Sequence, residues 1–200
     1  LSFRFSYTNL PAEETYLDKL QGREIPEGIC LGDCELLHQS LPEAPLILRV
    51  TPVAELEEHF GRSIHKVVVR QTFVSEDVSV GDEIYITANG WRAIIREDGW
   101  SIERNFVNVM REGSDYLVFL RDYEKIRWDD CTVYYLDENR VIAPVFCYDD
   151  IPNIVIPKSG SDTYVPYSEV RDNEFFAASQ AGLDAWLSLK QEMLAAYTRQ

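Results

Sequence analysis

Between Leu46 and Leu120 apolar residues recur at every second position in short runs separated by glycine turns, the period of strands with one face in a core. Leu46–Thr51 is the first run. Lys66–Val74 is a longer second one, with Val67, Val69 and Phe73 expected to point inward. Residues 54–61 between them fit either a helical turn or a loop. Val80–Glu83 predicts a turn ahead of a strand at Ile84–Thr87, which Asn89-Gly90 ends. Asp98-Gly99 reads as a two-residue hairpin turn, since both positions must accept positive φ. With Glu97 opposite Trp100 and Ile95 opposite Ile102, Ile95, Trp100 and Ile102 share one face, and Arg96, Ser101 and Glu103 the other. Gly113–Asp115 then turns into Tyr116–Leu120, whose unbroken apolar run predicts a strand buried on both sides. After a charged bend at Arg121–Asp130, Thr132–Leu136 and Val141–Phe146 read as a second hairpin, with Pro144 confining its second arm to an edge.

The flanks change period. Pro11–Leu20 has proline and acids early and Tyr16, Leu17 and Leu20 on one side, which predicts a short helix. A second helix is expected over Asp33–Ser40 with Leu36 and Leu37 inward, ended by Pro42 and Pro45. Residues 150–170, rich in Pro, Ser and Asp, are expected along the surface. A last helix is expected from Asp172 or Asn173 to Tyr197. Its apolar stripe holds Phe176, Leu183, Trp186, Leu187, Met193, Leu194 and Tyr197, so it should dock on the barrel. The reading is a mainly β, α+β fold: a small OB-like β-barrel with an N-terminal helical segment and a C-terminal helix packed on it. Its segments are 1–43, 44–157 and 158–200, together one structural unit.

The chain has 200 residues, 46% of them hydrophobic, enough for one sizeable core. No apolar run approaches the ~20 residues of a membrane helix. The net charge is −15, with the acids in the flanks, while residues 61–128 carry 10 basic and 11 acidic side chains. That balance argues against a polyanionic partner, and no nucleic acid is expected. The first residue is Leu1, which suits an extracellular or cell-envelope protein whose leader has been removed; a cloning boundary would look the same.

Pro45–Thr51, Val67–Phe73, Val80–Ile84 and Gly113–Leu120, in that order, resemble a group of bacterial extracellular proteins with an OB-like barrel, related in outline to the netrin-like and tissue-inhibitor-of-metalloproteinase fold. The resemblance spans about residues 45–120 and implies a fold and an extracellular or envelope location. The inhibitors address a catalytic metal through an amino-terminal Cys-x-Cys. This chain begins Leu-Ser-Phe, so no inhibitory residue carries over.

Candidate chemistry is sparse. Cys30, Cys34, Cys131 and Cys147 lack the paired Cys-x-x-Cys knuckles of a zinc site, and no cofactor is expected. A register placing Tyr135 opposite Ala143 would set Cys131 against Cys147 at disulfide range; buried free thiols are the alternative. His38, His59 and His65 have no metal spacing, and the acidic pairs at 129–130, 137–138 and 149–150 lack a calcium-loop register. Trp91, Arg92, Arg96 and Trp100 are the residue types of binding hot spots gathered near turns, and are the candidate ligand-binding set. Against this, Trp100 on the apolar hairpin face also fits the core. With no nucleotide-binding, nucleophile-elbow or zinc-protease motif, the expectation is a non-enzymatic module that recognises a protein, peptide or glycan through barrel loops. The alternatives are an enzyme built from scattered loop Cys, His and Asp residues, and a structural interaction domain of a surface assembly.

Overall fold

The computed structural model describes residues 4–5, 20–23, 27–54, 56–59, 62–88, 92–96, 99–103, 108–126, 131–136, 142–157 and 164–200; at 4–5, 20–23, 28–29, 58–59, 62, 92–96, 99–103, 122–126, 131 and 164–168 it describes the backbone alone. In chain order the elements are β1 (Arg4–Phe5), β2 (Leu20–Arg23), α1 (Glu27–Ser40) with a 3-10 turn at Leu41–Glu43, β3 (Leu46–Pro52), β4 (Glu57–His59), β5 (Arg62–Val74) and β6 (Glu83–Thr87). They continue as β7 (Arg92–Arg96), β8 (Gly99–Glu103), β9 (Tyr116–Ile126), β10 (Cys131–Leu136), β11 (Val145–Cys147), β12 (Ile154–Val155), β13 (Tyr164–Pro166), α2 (Tyr167–Val170), β14 (Phe176–Ala177) and α3 (Gln180–Ala196).

Five strands close a barrel in the order β3–β5–β6–β10–β9–β3. The β6–β10 pair is parallel and the other four are antiparallel. This is an OB-like barrel, with α1 before it and α3 packed on it. β5 is long enough to leave the barrel: its first residues pair with β4 and, at Arg62, with β7, starting a second sheet that runs on through β8, β2 and β13.

The apolar residues fill two layers. Inside the barrel, Leu48 faces Val118, Val50 faces Tyr116 and Val69, and Val67 faces Ile84, all buried. The alternate residues of β3 and β9, Ile47 facing Phe119 among them, form a second layer under α3. There Phe119 meets Phe146 edge-on, Phe146 meets Trp186, and Phe175 stacks on Trp186 at 4.5 Å. This double burial is why Tyr116–Leu120 is apolar at every position. Ser179 caps α3 by accepting from the Gly182 amide at 3.1 Å. Gly182 then lets α1 come close, since a Cβ there would lie 3.4 Å from Cys30 Sγ.

The structure revises several expectations. The helix over 33–40 begins at Glu27 and buries Cys30, Cys34, Leu37 and Leu41, an i, i+4, i+7, i+11 stripe; Leu36 lies one step off it and is exposed. The expected helix at 11–20 falls outside the described residues except for Leu20, which opens β2. Residues 57–59 form a strand. The charged stretch after Leu120 continues β9 to Ile126, and β10 pairs with it along that length. β11 does not return along β10. Both strands pair with β9, Cys131 beside Ile126 and Cys147 beside Tyr116, ten residues apart and so roughly 33 Å along the strand. The hairpin that would have joined these cysteines is therefore not formed, and Cys147 is a free thiol. Pro144 sits just ahead of β11, where its missing N–H costs no ladder bond. Finally, α3 starts at Gln180, because Phe176 is committed to β14 beside β12.

Candidate functional site

A cleft of ≈ 410 Å³ opens where the β5–β6 turn meets the parallel β6–β10 pair, a volume in the range of small-ligand sites. Alternation supplies its floor. Lys66 on β5 and Glu83 and Tyr85 on β6 point away from the buried Val67, Ile84 and Ile86, and Lys66 is the cross-strand partner of Tyr85. Across the parallel pair, β10 contributes Thr132 and Tyr134. Asp77, Val78 and Asp82 complete the wall from the turn.

Local bonding holds that turn. The Ser75 hydroxyl donates to the Val78 carbonyl at 2.7 Å and accepts from its amide at 3.0 Å. Asp82 accepts from the Ser79 amide through Oδ2 at 2.9 Å, while its own amide donates to the Ser79 carbonyl. Gly81, at φ 95°, takes the conformation that a side chain would oppose, and its amide returns to the Val69 carbonyl at 2.8 Å. Val78 is buried, which leaves Asp77 and Asp82 presented on either side of it.

The described residues lining the cleft carry three carboxylates and one ammonium, a formal charge of −2. The ammonium is engaged: Lys66 Nζ lies 2.6 Å from Glu83 Oε2, a diagonal cross-strand pair, and this carboxylate holds Lys66 above the usual lysine range. Asp77 has no hydrogen bond or ion pair among the described residues. The surface therefore offers carboxylate acceptors beside two tyrosine rings, a set that suits a cationic group or a hydroxyl-rich one.

A second polar cluster is closed to solvent. Glu174, 3% exposed, accepts from the Cys147 amide at 2.6 Å through Oε1 and pairs with Lys190 of α3 through Oε2. Burial pushes its carboxyl up, against the pull of Lys190. The Cys147 thiol is raised to about 11, chiefly by burial, so it is protonated at neutral pH and is no nucleophile. Tyr116 beside it is raised by burial and by Cys147, and accepts from the Arg111 amide at 2.7 Å. This cluster joins β9, β11 and α3; its chemistry is structural.

None of the residues expected to bind a ligand is among the described residues that line the cleft, and at Arg92, Arg96 and Trp100 the backbone alone is described. Trp91 lies outside the described residues. Arg92, Arg96 and Trp100 are strand positions in the second sheet, with Arg92 opposite Glu103, Arg96 opposite Gly99 and Ile95 opposite Trp100. The register of β7 against β8 is thus shifted by two residues from the expected one, in which Ile95 faced Ile102. Because Trp100 pairs with Ile95, Arg92 and Arg96 fall on the alternate set of positions and share no strand face with it. Of the histidines, His65 is buried in the barrel and His38 meets Glu192 on the surface at 2.6 Å. Of the acidic pairs, 129–130 and 137–138 lie outside the described residues, and Asp149 pairs with Arg199 at 3.3 Å. Cys30 and Cys34 are buried one turn apart on α1, where the Cys34 thiol donates to Cys30 and lowers it while Cys34 is raised.

Lys66, Glu83, Tyr85, Thr132 and Tyr134 were not singled out by the sequence. The available signal was the outward set of a period-two pattern, which every half-exposed strand carries. The chain matches no protein-family model and no curated protein sequence.

Proposed function

We propose that the protein is a binding module, and that the β5–β6–β10 cleft receives a basic segment of a protein or peptide partner. The observation that carries this is the cleft's composition: Asp77, Asp82 and Glu83 converge on one concavity where the single lysine among the described lining residues is already paired with Glu83. Lys or Arg entering it would meet carboxylate acceptors, the one cation among the described lining residues being already paired, beside the tyrosine rings, a residue type that makes cation–π contacts. The net charge of −15 would steer such a partner and disfavour anionic ones. A neutral glycan could use the same acceptors, but its binding would be indifferent to salt.

Calorimetric titration with a short lysine- and arginine-rich peptide tests the reading. Binding should weaken as salt is raised and should fall about tenfold in the Asp77→Asn/Glu83→Gln variant. Saturable binding of a neutral oligosaccharide, with none of the peptide, would replace this partner class by glycan.

The extracellular or envelope location implied by the netrin-like resemblance belongs to the same proposal. Cys30, Cys34 and Cys147 are free but buried, so packing would protect them in an oxidising setting. Recovery of the native protein only from the cytoplasmic fraction would remove this part of the reading.

A further inference from the structure

The four residues that follow α3 cross the outer face of β3 and β5, a wall of the barrel distinct from the cleft. Tyr197 is the anchor: its ring packs edge-on against Phe73 at 5.4 Å and Phe119 at 5.5 Å. Beyond it, every hydrogen bond described for residues 198–200 runs to a side chain, not to a strand backbone. Gln71 brackets the segment, donating through Nε2 to the Thr198 carbonyl at 3.4 Å and accepting from the Gln200 amide at 3.1 Å. Arg49 Nη2 donates to the Gln200 carbonyl at 3.4 Å, and the Tyr148 hydroxyl donates to the Tyr197 carbonyl. Arg199 pairs with Asp149 and lies over the Tyr148 ring at 6.0 Å.

We infer that this groove is a docking site for an extended peptide carrying an aromatic residue followed two positions later by Arg or Lys, and that residues 197–200 occupy it in cis. The groove reads its occupant in a way that does not depend on that occupant being part of this chain. Four of the contacts go to main-chain atoms, which any extended peptide presents. Two go to side chains, the aromatic in the Phe73–Phe119 slot and the cation at Asp149 and Tyr148. Residues 198–200 are exposed and outside any strand ladder, so an incoming segment need break only side-chain contacts to replace them. The tether sets the competition: a segment attached directly to α3 acts at an effective concentration on the order of millimolar, so a free peptide is excluded until the strap is loosened.

The test uses the full chain and a labelled peptide with the sequence of residues 194–200, followed by fluorescence anisotropy. Tyr197→Gly loosens the strap by removing its anchor. Arg199→Glu loosens it differently, by setting a carboxylate against Asp149 while the aromatic anchor stays in place, and serves if the first variant fails to fold. The peptide should bind a loosened variant at least about tenfold more tightly than the unsubstituted chain, and adding Gln71→Ala or replacing the peptide's tyrosine by serine should remove the gain. A folded loosened variant that takes up no peptide, or takes it up equally well with Gln71→Ala, overturns the inference. So does dimerisation of the loosened variant without peptide uptake, which would make exchange between copies the groove's use.

Discussion

Lys190 of α3 pairs with Glu174, a carboxylate 3% exposed whose other oxygen holds the Cys147 amide of β11. The pair fastens the last helix to the barrel at the edge of the aromatic layer, where the Lys190 ammonium also lies 5.6 Å from the centre of the Trp186 ring. Removing one member leaves a charge buried without its partner. Lys190→Met should therefore destabilise the fold by about 3 kcal/mol, and the Glu174→Gln/Lys190→Met double variant should recover most of that loss. Urea denaturation of the four members of the cycle measures both effects.

Stability should carry a pH signature from the same carboxyl. Burial raises Glu174 in the fold above its ordinary value of 4.5. The folded protein then holds this proton where the unfolded chain has released it. The contribution is fully present below the ordinary glutamate value and is lost as pH rises through the raised one. Glu174→Gln cannot ionise. The difference in unfolding free energy between wild type and Glu174→Gln should thus shift against the wild type as pH climbs above about 4.5, and level off once Glu174 is ionised in the fold. A difference that stays flat across that window would mean the carboxyl is not raised.

Cys147, fully buried with its thiol near 11, should resist thiol-specific reagents in the native protein at neutral pH and react on unfolding in urea. Mass spectrometry of the labelled peptides resolves it from the other cysteines. Labelling of Cys147 at the rate of an exposed thiol would contradict its placement, and recovery of a Cys131–Cys147 disulfide would contradict the register along β9.

Much of the barrel was legible in the chain because its strands obey local rules. Val67 and Val69 alternate with outward residues, Gly81 and Gly113 mark turns that take positive φ, and Tyr116–Leu120 is apolar throughout because both its faces are covered. Misreadings arose where the decisive partner is distant. Nothing near Arg121–Ile126 announces that a charged segment continues a strand; its support is β10, with Tyr134 opposite Tyr123. Nor does Thr132–Cys147 reveal that its two arms pair with β9 rather than with each other. The cleft was illegible for the same reason: Tyr85 and Thr132 come together only because β6 and β10 run parallel, and a parallel pair needs a long crossover that no turn motif marks.

The central claim is that the β5–β6–β10 cleft binds a basic peptide, and a nuclear magnetic resonance titration of isotope-labelled protein with a lysine- and arginine-rich peptide tests it most directly. The account predicts saturable shifts centred on Asp77, Asp82, Glu83, Tyr85 and Thr132, lost in the Asp77→Asn/Glu83→Gln variant and weakened by salt. Shifts absent from these residues, or unchanged in the variant, would contradict it.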